Sequence, residues 1–259
     1  MTKIPVSFQH FAVHCIIALI LGTNMSHAYA TDSDHPVIKR KFDVPPSAEL
    51  SYTIRARQSG FSLSGDALVK WRTDGKQFDI EAATNAMIFG KILEAKSEGS
   101  IDDFGLAPSQ FMDKRIRKAA TITTFNRDAN SKNDGTITFS DSDNTYPLKG
   151  GEQDRTSIAW QLSALARASP QQFKPGSEWE FFVAGQRDAE AWTFTVVNRE
   201  KISTGIGEIN AVHLIKTPDA KQQKLEIWLA PSLKWYPIRL RFTDPNNDFI
   251  DQTLDKISQ

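Results

Sequence analysis

The chain has 259 residues, and its 31 Lys and Arg residues balance 31 Asp and Glu residues, so the formal net charge is zero. This balance does not favour a nucleic-acid-binding protein or one held on a strongly anionic surface. Cys15 is the single cysteine, which excludes a disulfide within the chain.

Residues 1–30 have the pattern of an export signal. Lys3 gives a basic start, residues 11–22 form an apolar run, and Ala28-Tyr29-Ala30 has the small residues of a cleavage site. The apolar run is too short to cross a bilayer comfortably. We predict a signal peptide over 1–30, cleavage after Ala30, no membrane span after cleavage, and a periplasmic mature protein without cysteine.

Residues 31–47 are polar and charged and end in Pro45-Pro46. Segments of this kind near a chain terminus are often poorly ordered. The sequence therefore predicts a flexible lead over 31–47, between the cleavage site and the folded domain.

From residue 48 onward, apolar and polar residues alternate, which is typical of strands with one dry and one wet face. In the first such run the apolar positions are Ala48, Leu50, Tyr52, Ile54 and Ala56. Asp74-Gly75 is a hairpin signal, and Asn133-Asp134-Gly135 predicts another turn. Similar runs follow over most of the remaining chain, which predicts about a dozen strands.

One stretch, QDRTSIAWQLSALARASP over residues 153–170, has a helical pattern instead. Asp154 is a suitable N-cap, and Pro170 ends helical geometry at the residue before it. We predict a helix over 154–169. One stripe of this helix is apolar and consists of Ile158, Leu162, Leu165 and Ala166.

Many short strands with one wet face predict a mainly antiparallel sheet, and a sheet of this size must curl, split or close. The helix supplies apolar surface to cover the dry face. We therefore predict an all-β fold with one principal helix, in which a curved sheet or half-barrel wraps around the helix. A two-sheet β-sandwich is the alternative. Residues 48–258 are predicted to form a single β-rich domain.

Several strings match a known family: Gly105-Leu106-Ala107-Pro108 with Phe111, the helix followed by Phe173-Lys174-Pro175-Gly176, and Glu226-Ile227-Trp228-Leu229-Ala230-Pro231 with Tyr236-Pro237-Ile238-Arg239. On these residues the chain resembles the exported proteobacterial proteins grouped as domain of unknown function 3108, from about residue 44 to 257. Phe78 stands where this family is expected to have Tyr. The resemblance implies a cell-envelope location and a mostly-β fold, and it transfers no activity or site.

Four residues are candidates for contact with a ligand or partner. Trp160 lies on the helix face opposite the apolar stripe, and Trp228 alternates with Ile227 and Leu229. Each tryptophan is either packed under a second layer or part of an apolar groove. Asp154 and Arg155 form either a helix cap with a structural ion pair or a polar site at a cavity mouth.

Motifs of common enzyme classes are missing from the sequence. It has no Gly-x-Ser-x-Gly string, and Gly205-Ile206-Gly207 lacks the third glycine of a dinucleotide fingerprint. His213 is the one histidine within a predicted strand, and we interpret it as a core residue with a satisfied hydrogen bond. The sequence predicts no cofactor, no metal site and no nucleic-acid partner.

Three functions are compatible with these observations. The first is a non-enzymatic binding module of the cell envelope, which holds a lipid or other apolar ligand, or an envelope partner, beside the helix. The second is a structural or assembly factor that binds another envelope protein through a sheet edge or the Trp160 face. The third is a hydrolase that uses carboxylates alone. An open apolar cavity between helix and sheet favours carriage of a ligand, and a filled space favours a structural role.

Overall fold

The computed structural model describes residues 35–87, 89–127, 135–216 and 223–258. The predicted signal peptide and Asn133-Asp134 therefore lie outside the described residues. The strands are β1 (Ala48–Gln58), β2 (Phe61–Thr73), β3 (Gln77–Ala86), β4 (Gly90–Asp102), β5 (Gly105–Arg115), β6 (Thr121–Asn126), β7 (Thr136–Phe139), β8 (Ser142–Pro147), β9 (Gln153–Asp154), β10 (Glu178–Ala184), β11 (Ala189–Thr204), β12 (Gly207–Lys216), β13 (Lys224–Ala230), β14 (Tyr236–Thr243) and β15 (Phe249–Ser258). The helix α1 covers Ile158–Ala168, and short 3-10 turns cover Pro170–Gln172 and Pro231–Leu233.

All fifteen strands belong to one sheet, in the order β8-β7-β6-β5-β4-β3-β2-β1-β15-β14-β13-β12-β11-β10-β9. Neighbouring strands are antiparallel except β9, which pairs in parallel with β10 at one edge. The strand β15 pairs with β1, so the first and last strands meet in the middle of the sheet. This single curved, mainly antiparallel sheet around one helix confirms the predicted fold class, and the two-sheet alternative does not apply.

Alternation along the strands sets which face is buried. In β1, Leu50, Tyr52 and Ile54 are at most 6% exposed, whereas Glu49 between them is exposed. Leu50 pairs with Val69 on one side and Ile257 on the other. Because side chains of successive strand residues point to opposite faces, this register places one continuous apolar surface toward the helix.

The helix is shorter and more deeply buried than the sequence predicts. It begins at Ile158, four residues after the predicted start, because residues 155–157 form a turn. Every residue from Ile158 to Ala166 is buried. Leu162 and Leu165 pack in a core with residues of β10–β13, and Trp160 packs in a second core with residues of β1 and β2. The sheet therefore surrounds the helix instead of covering one stripe. Within the described parts of the chain, no helix has the length and apolar character needed to span a membrane.

Residues 35–47, which we call the strap, correct the predicted flexible lead in its described part. The strap has no regular secondary structure, but it packs across the helix and both neighbouring regions of the sheet. The N–H of Asp43 donates to the carbonyl of Ala164 at 2.9 Å. The carbonyl of Pro45 accepts from Trp71 Nε1 at 2.9 Å, and that of Pro46 accepts from the Tyr236 hydroxyl at 2.8 Å. These distant partners hold a segment whose own composition predicts disorder.

Candidate functional site

The site is built around a buried polar cluster at the start of the helix. Asp154, in β9, is fully buried, and its Oδ1 accepts backbone N–H bonds from Thr156 at 2.7 Å and Ser157 at 2.9 Å. Its Oδ2 accepts the hydroxyl of Ser97 at 2.5 Å. Burial raises the pKa of Asp154, because loss of water disfavours the charged form. The carboxylate thus ties the helix start to β4 and is closed to any substrate.

Glu152 lies two residues earlier and is also fully buried. Its carboxylate accepts backbone N–H bonds from Lys149 and Gly150, and it lies 3.0 Å from Nε2 of His35 and 3.4 Å from Nη2 of Arg127. Burial alone would raise the pKa of Glu152, but these partners outweigh it and lower the pKa to about 2. Glu152 is therefore an ionised anchor for the beginning of the strap.

Two glutamine side chains join the two ends of the sheet. The N-terminal part of β5 extends beyond its pairing with β6, which covers Gln110–Asp113. There the N–H of Leu106 donates to Oε1 of Gln161 at 2.9 Å, and the carbonyl of Leu106 accepts from Nε2 of Gln153 at 2.7 Å. Amide side chains thus take the place of a strand, and the sheet is closed here by side chains instead of a backbone ladder.

The strap covers a surface, which we call the strap groove, formed by Phe104, Trp179, Glu180, Phe181 and Phe182. Each of three basic residues of the strap lies on an aromatic ring of the groove. His35 stacks on Phe182 with centroids 4.1 Å apart, Lys39 Nζ lies 5.1 Å from the Phe104 centroid, and Arg40 lies 5.5 and 5.3 Å from the Trp179 and Phe181 centroids.

An acidic or carbonyl group accompanies each of these ring contacts. Glu152 lies beside His35, Lys39 Nζ is 2.7 Å from Oδ2 of Asp103, and Arg40 donates to the carbonyl of Glu180 at 3.2 Å. Cations are attracted to aromatic faces and to carboxylates. The chemistry of the groove is therefore acidic and aromatic, and it suits basic side chains.

The groove runs along an incompletely paired strand edge. The strand β10 pairs with β11 over its whole length, but on its other side only Val183 and Ala184 pair, with β9. Phe181 and Phe182 point to opposite faces of β10. Since His35 lies on Phe182 and Arg40 on Phe181, the strap crosses the edge of β10.

Little space remains beneath the strap. A cavity of about 10 Å³ is lined by strap residues Pro36, Ile38 and Arg40 together with groove and helix residues. Gly150 adopts φ +115°, and a Cβ there would lie 2.5 Å from the Phe104 ring. A glycine is therefore required for Phe104 to keep its place in the groove.

The two predicted tryptophans are both buried, and they occupy different environments. Trp160 stacks on Trp71 with centroids 4.7 Å apart, and Tyr236 packs against its ring at 5.9 Å. Trp71 in turn lines an open depression of about 630 Å³ whose rim carries charged residues such as Arg72 and Asp79.

Trp228 instead stacks on His213 with centroids 4.2 Å apart and donates to Glu200 at 2.6 Å. It pairs with His213 in register, and its strand neighbour Leu229 lies in the helix-side core, so Trp228 belongs to the face away from the helix. His213 Nε2 lies 3.1 Å from Glu226 Oε1. The structure therefore separates Trp228 from the helix and gives His213 a bonded, structural environment.

Arg155 lies on the far side of the polar cluster from the strap groove. Its guanidinium approaches Gly185 and lies 4.0 Å from Oδ1 of Asp188. The structure thus places Asp154 and Arg155 beside each other in sequence but directs one inward and the other toward the β10–β11 turn.

Sequence reasoning missed the residues that define the strap groove. His35, Lys39 and Arg40 belong to a segment predicted to be flexible, and their rings and carboxylates lie up to 140 positions away in sequence. One signal was available, since strand β10 alternates aromatic and acidic residues in Glu178-Trp179-Glu180-Phe181, and a basic run Lys39-Arg40-Lys41 precedes the domain.

The fold defines a β-barrel-like protein in which one antiparallel sheet, joined by side chains along one seam, encloses a buried helix. The chain belongs to the family described as protein of unknown function (DUF3108), whose model matches residues 50–255. This match confirms the resemblance given by the sequence. No curated protein matches the chain.

Solved structures share the fold at low sequence identity. A β-barrel-like protein of domain of unknown function DUF1849 from Brucella abortus has 11% identity and a TM-score of 0.53, covering 84% of this chain and 98% of its own. A protein with a YmcC-like fold from Bacteroides fragilis has 9% identity and a TM-score of 0.39, covering 86% of this chain and 100% of its own.

Proposed function

We propose that this protein is a non-enzymatic binding module of the cell envelope, and that it holds an extended segment of another envelope protein in the strap groove. The observation that carries this proposal is the filled interior. Helix residues Ile158–Ala166 are buried all round, and the cavity beneath the strap is about 10 Å³. That volume corresponds to roughly one water molecule, whereas a lipid-sized ligand needs several hundred Å³.

The location in the envelope follows from the sequence. Residues 1–30 have the three regions of an export signal, and the strap begins immediately after the short segment that follows the cleavage site. An exported chain with one cysteine, which the signal removes, depends on its core for stability, and the enclosed helix supplies such a core.

The enzymatic alternative has no support at the buried carboxylates. Glu152 and Asp154 are both fully buried, and both are held by backbone N–H groups and neighbouring side chains. A general acid or base must reach its substrate directly or through one water. Their environment therefore assigns them to the structure of the seam.

The proposal is tested by site-specific photo-crosslinking in cells. A photoreactive amino acid at Val37, which is 47% exposed in the strap beside the groove, is expected to give an adduct with a defined protein. The same group at Met87, an exposed residue in the β3–β4 turn, serves as the positional control. The adduct at position 37 should weaken with Glu180→Lys and persist with Glu208→Lys, since both glutamates are exposed and Glu208 lies in β12 away from the groove.

Two results would contradict the proposed function. One is the absence of a protein adduct at position 37 under conditions in which position 87 reacts equally. The other is a stoichiometric apolar molecule released from protein purified from membranes and detected by native mass spectrometry, because it would show a ligand space that opens inside the fold.

A further inference from the structure

We propose that the strap is a displaceable occupant of the strap groove, and that the groove accepts in its place an extended basic segment of a partner along the open edge of β10. This inference rests on the proposed function and names the chemistry of the partner. The strap itself shows that chemistry, because its His35, Lys39 and Arg40 occupy the rings and acidic groups of the groove.

The open edge of β10 offers main-chain groups that the strap does not use as a strand would. Residues 35–47 are not in a strand, and the described contact of the strap with the β10 backbone is from the Arg40 side chain to the Glu180 carbonyl. An extended peptide can add to such an edge through a backbone ladder, while alternate side chains contact the two faces. Main-chain bonds at this edge would give a partner an advantage that the strap lacks.

The groove also contains an unused donor. Nε1 of Trp179 is buried and has no hydrogen-bond partner within the described parts of the chain, although Trp179 is 5% exposed. A buried donor without an acceptor is unfavourable by about 1–3 kcal/mol. A carbonyl of a bound extended segment supplies the kind of acceptor that this indole lacks.

The middle of the strap is weakly held in comparison with its ends. Lys39 and Asp103 have side chains that are 60% and 81% exposed, and exposed ion pairs of this kind contribute at most about 1 kcal/mol. Val37 and Ile38 are 47% and 44% exposed, so they contribute little burial. Asp43, Pro45 and Pro46 remain anchored on the helix, Trp71 and Tyr236, so the preceding part can leave while the chain stays attached.

Charge supports a basic partner over an acidic or neutral one. Glu178 and Glu180 project from the exposed side of β10, and Asp103 lies at the opposite wall of the groove. An acidic segment would meet these three carboxylates directly. A basic segment can pair with them and stack on the rings, as the strap does.

The experiment measures binding of the strap's own sequence as a separate peptide. A peptide with the sequence of residues 35–47, HPVIKRKFDVPPS, is titrated by calorimetry into the full mature protein and into the variant Lys39→Ala/Arg40→Ala. An attached segment competes at an effective concentration in the millimolar range. We therefore expect the variant to bind the peptide at least about tenfold more tightly than the unmodified protein.

Three controls make the result specific. A peptide with Glu in place of Lys39, Arg40 and Lys41 should not bind the variant. Adding Glu180→Lys to the variant should abolish binding, whereas adding Glu208→Lys should not. Circular dichroism and the thermal midpoint establish that each variant is folded, and a folded variant that binds neither peptide, or binds both equally, overturns the proposal.

The result separates this inference from the proposed function. If the peptide binds but Val37 gives no protein adduct in cells, the groove chemistry holds and the proposed function fails. If an adduct forms at Val37 and the basic peptide does not bind the folded variant, the groove binds a partner of another chemistry and the present inference is wrong.

Discussion

The ionised state of Glu152 gives the sharpest prediction for stability. Its pKa in the folded protein is about 2, below the ordinary value of 4.5. A depressed carboxyl pKa stabilises the folded state above pH 4.5, and this contribution is lost as the pH falls toward 2. The difference corresponds to roughly 3 kcal/mol at pH 7 and to roughly 1.4 kcal/mol at pH 3.

The substitution Glu152→Gln imitates the neutral carboxyl while keeping its shape. We expect it to lower the free energy of unfolding by roughly 3 kcal/mol at pH 7 and by about half as much at pH 3. Urea titrations at both pH values, followed by tryptophan fluorescence, measure the difference. Glu178→Gln is the control, because Glu178 is exposed in β10. A loss for Glu152→Gln that is the same at both pH values, or no larger than that of the control, would refute the electrostatic account of the seam.

Three further substitutions test neighbouring parts of the structure. Asp154→Asn removes a buried charge but keeps the acceptor for the helix start, so its free energy of unfolding at pH 7 should stay within about 1 kcal/mol of the unmodified protein, while Asp154→Ala should lose about 2–4 kcal/mol in the same urea assay; equal losses would contradict the assigned bonds. Trp160→Ala should cost about 3–5 kcal/mol because the ring packs on Trp71, and an unchanged thermal midpoint would show that the ring is not part of the core. Gly150→Ala should destabilise by more than about 1 kcal/mol through its positive φ and its contact with Phe104; Phe104→Ala should relieve part of that cost in a double-mutant cycle, and strict additivity would argue against the contact.

The fold could be predicted because its signals are local. Alternation over residues 48–57 predicts β1 with its buried face, and the helical pattern after Gln153 predicts α1. The start of the helix was placed too early because Asp154 does cap the first turn by accepting from Thr156 and Ser157, but it does so from β9 and across an intervening turn. A sequence pattern cannot separate these two arrangements.

The strap groove could not be predicted because its contacts are not local. Arg40 meets Glu180 and Trp179, and His35 meets Glu152, all more than a hundred positions away. A polar segment that ends in two prolines has the composition of a flexible lead, and its order comes from partners that only the folded sheet brings together. The same reason explains Trp160, whose side of the helix is polar in sequence and yet buried in the fold.

Hydrogen exchange of the strap tests most directly whether the groove can open while the fold persists. The N–H of Asp43 bonds to Ala164 of the helix, and the amides of β10 at Glu178–Phe182 lie beneath the preceding residues. If the strap is displaceable, residues 36–41 and this edge of β10 should exchange with a lower opening free energy than Ile158–Ala166, and with little dependence on urea. Exchange of the strap at the same free energy as the helix, rising with urea in step with global unfolding, would contradict the account.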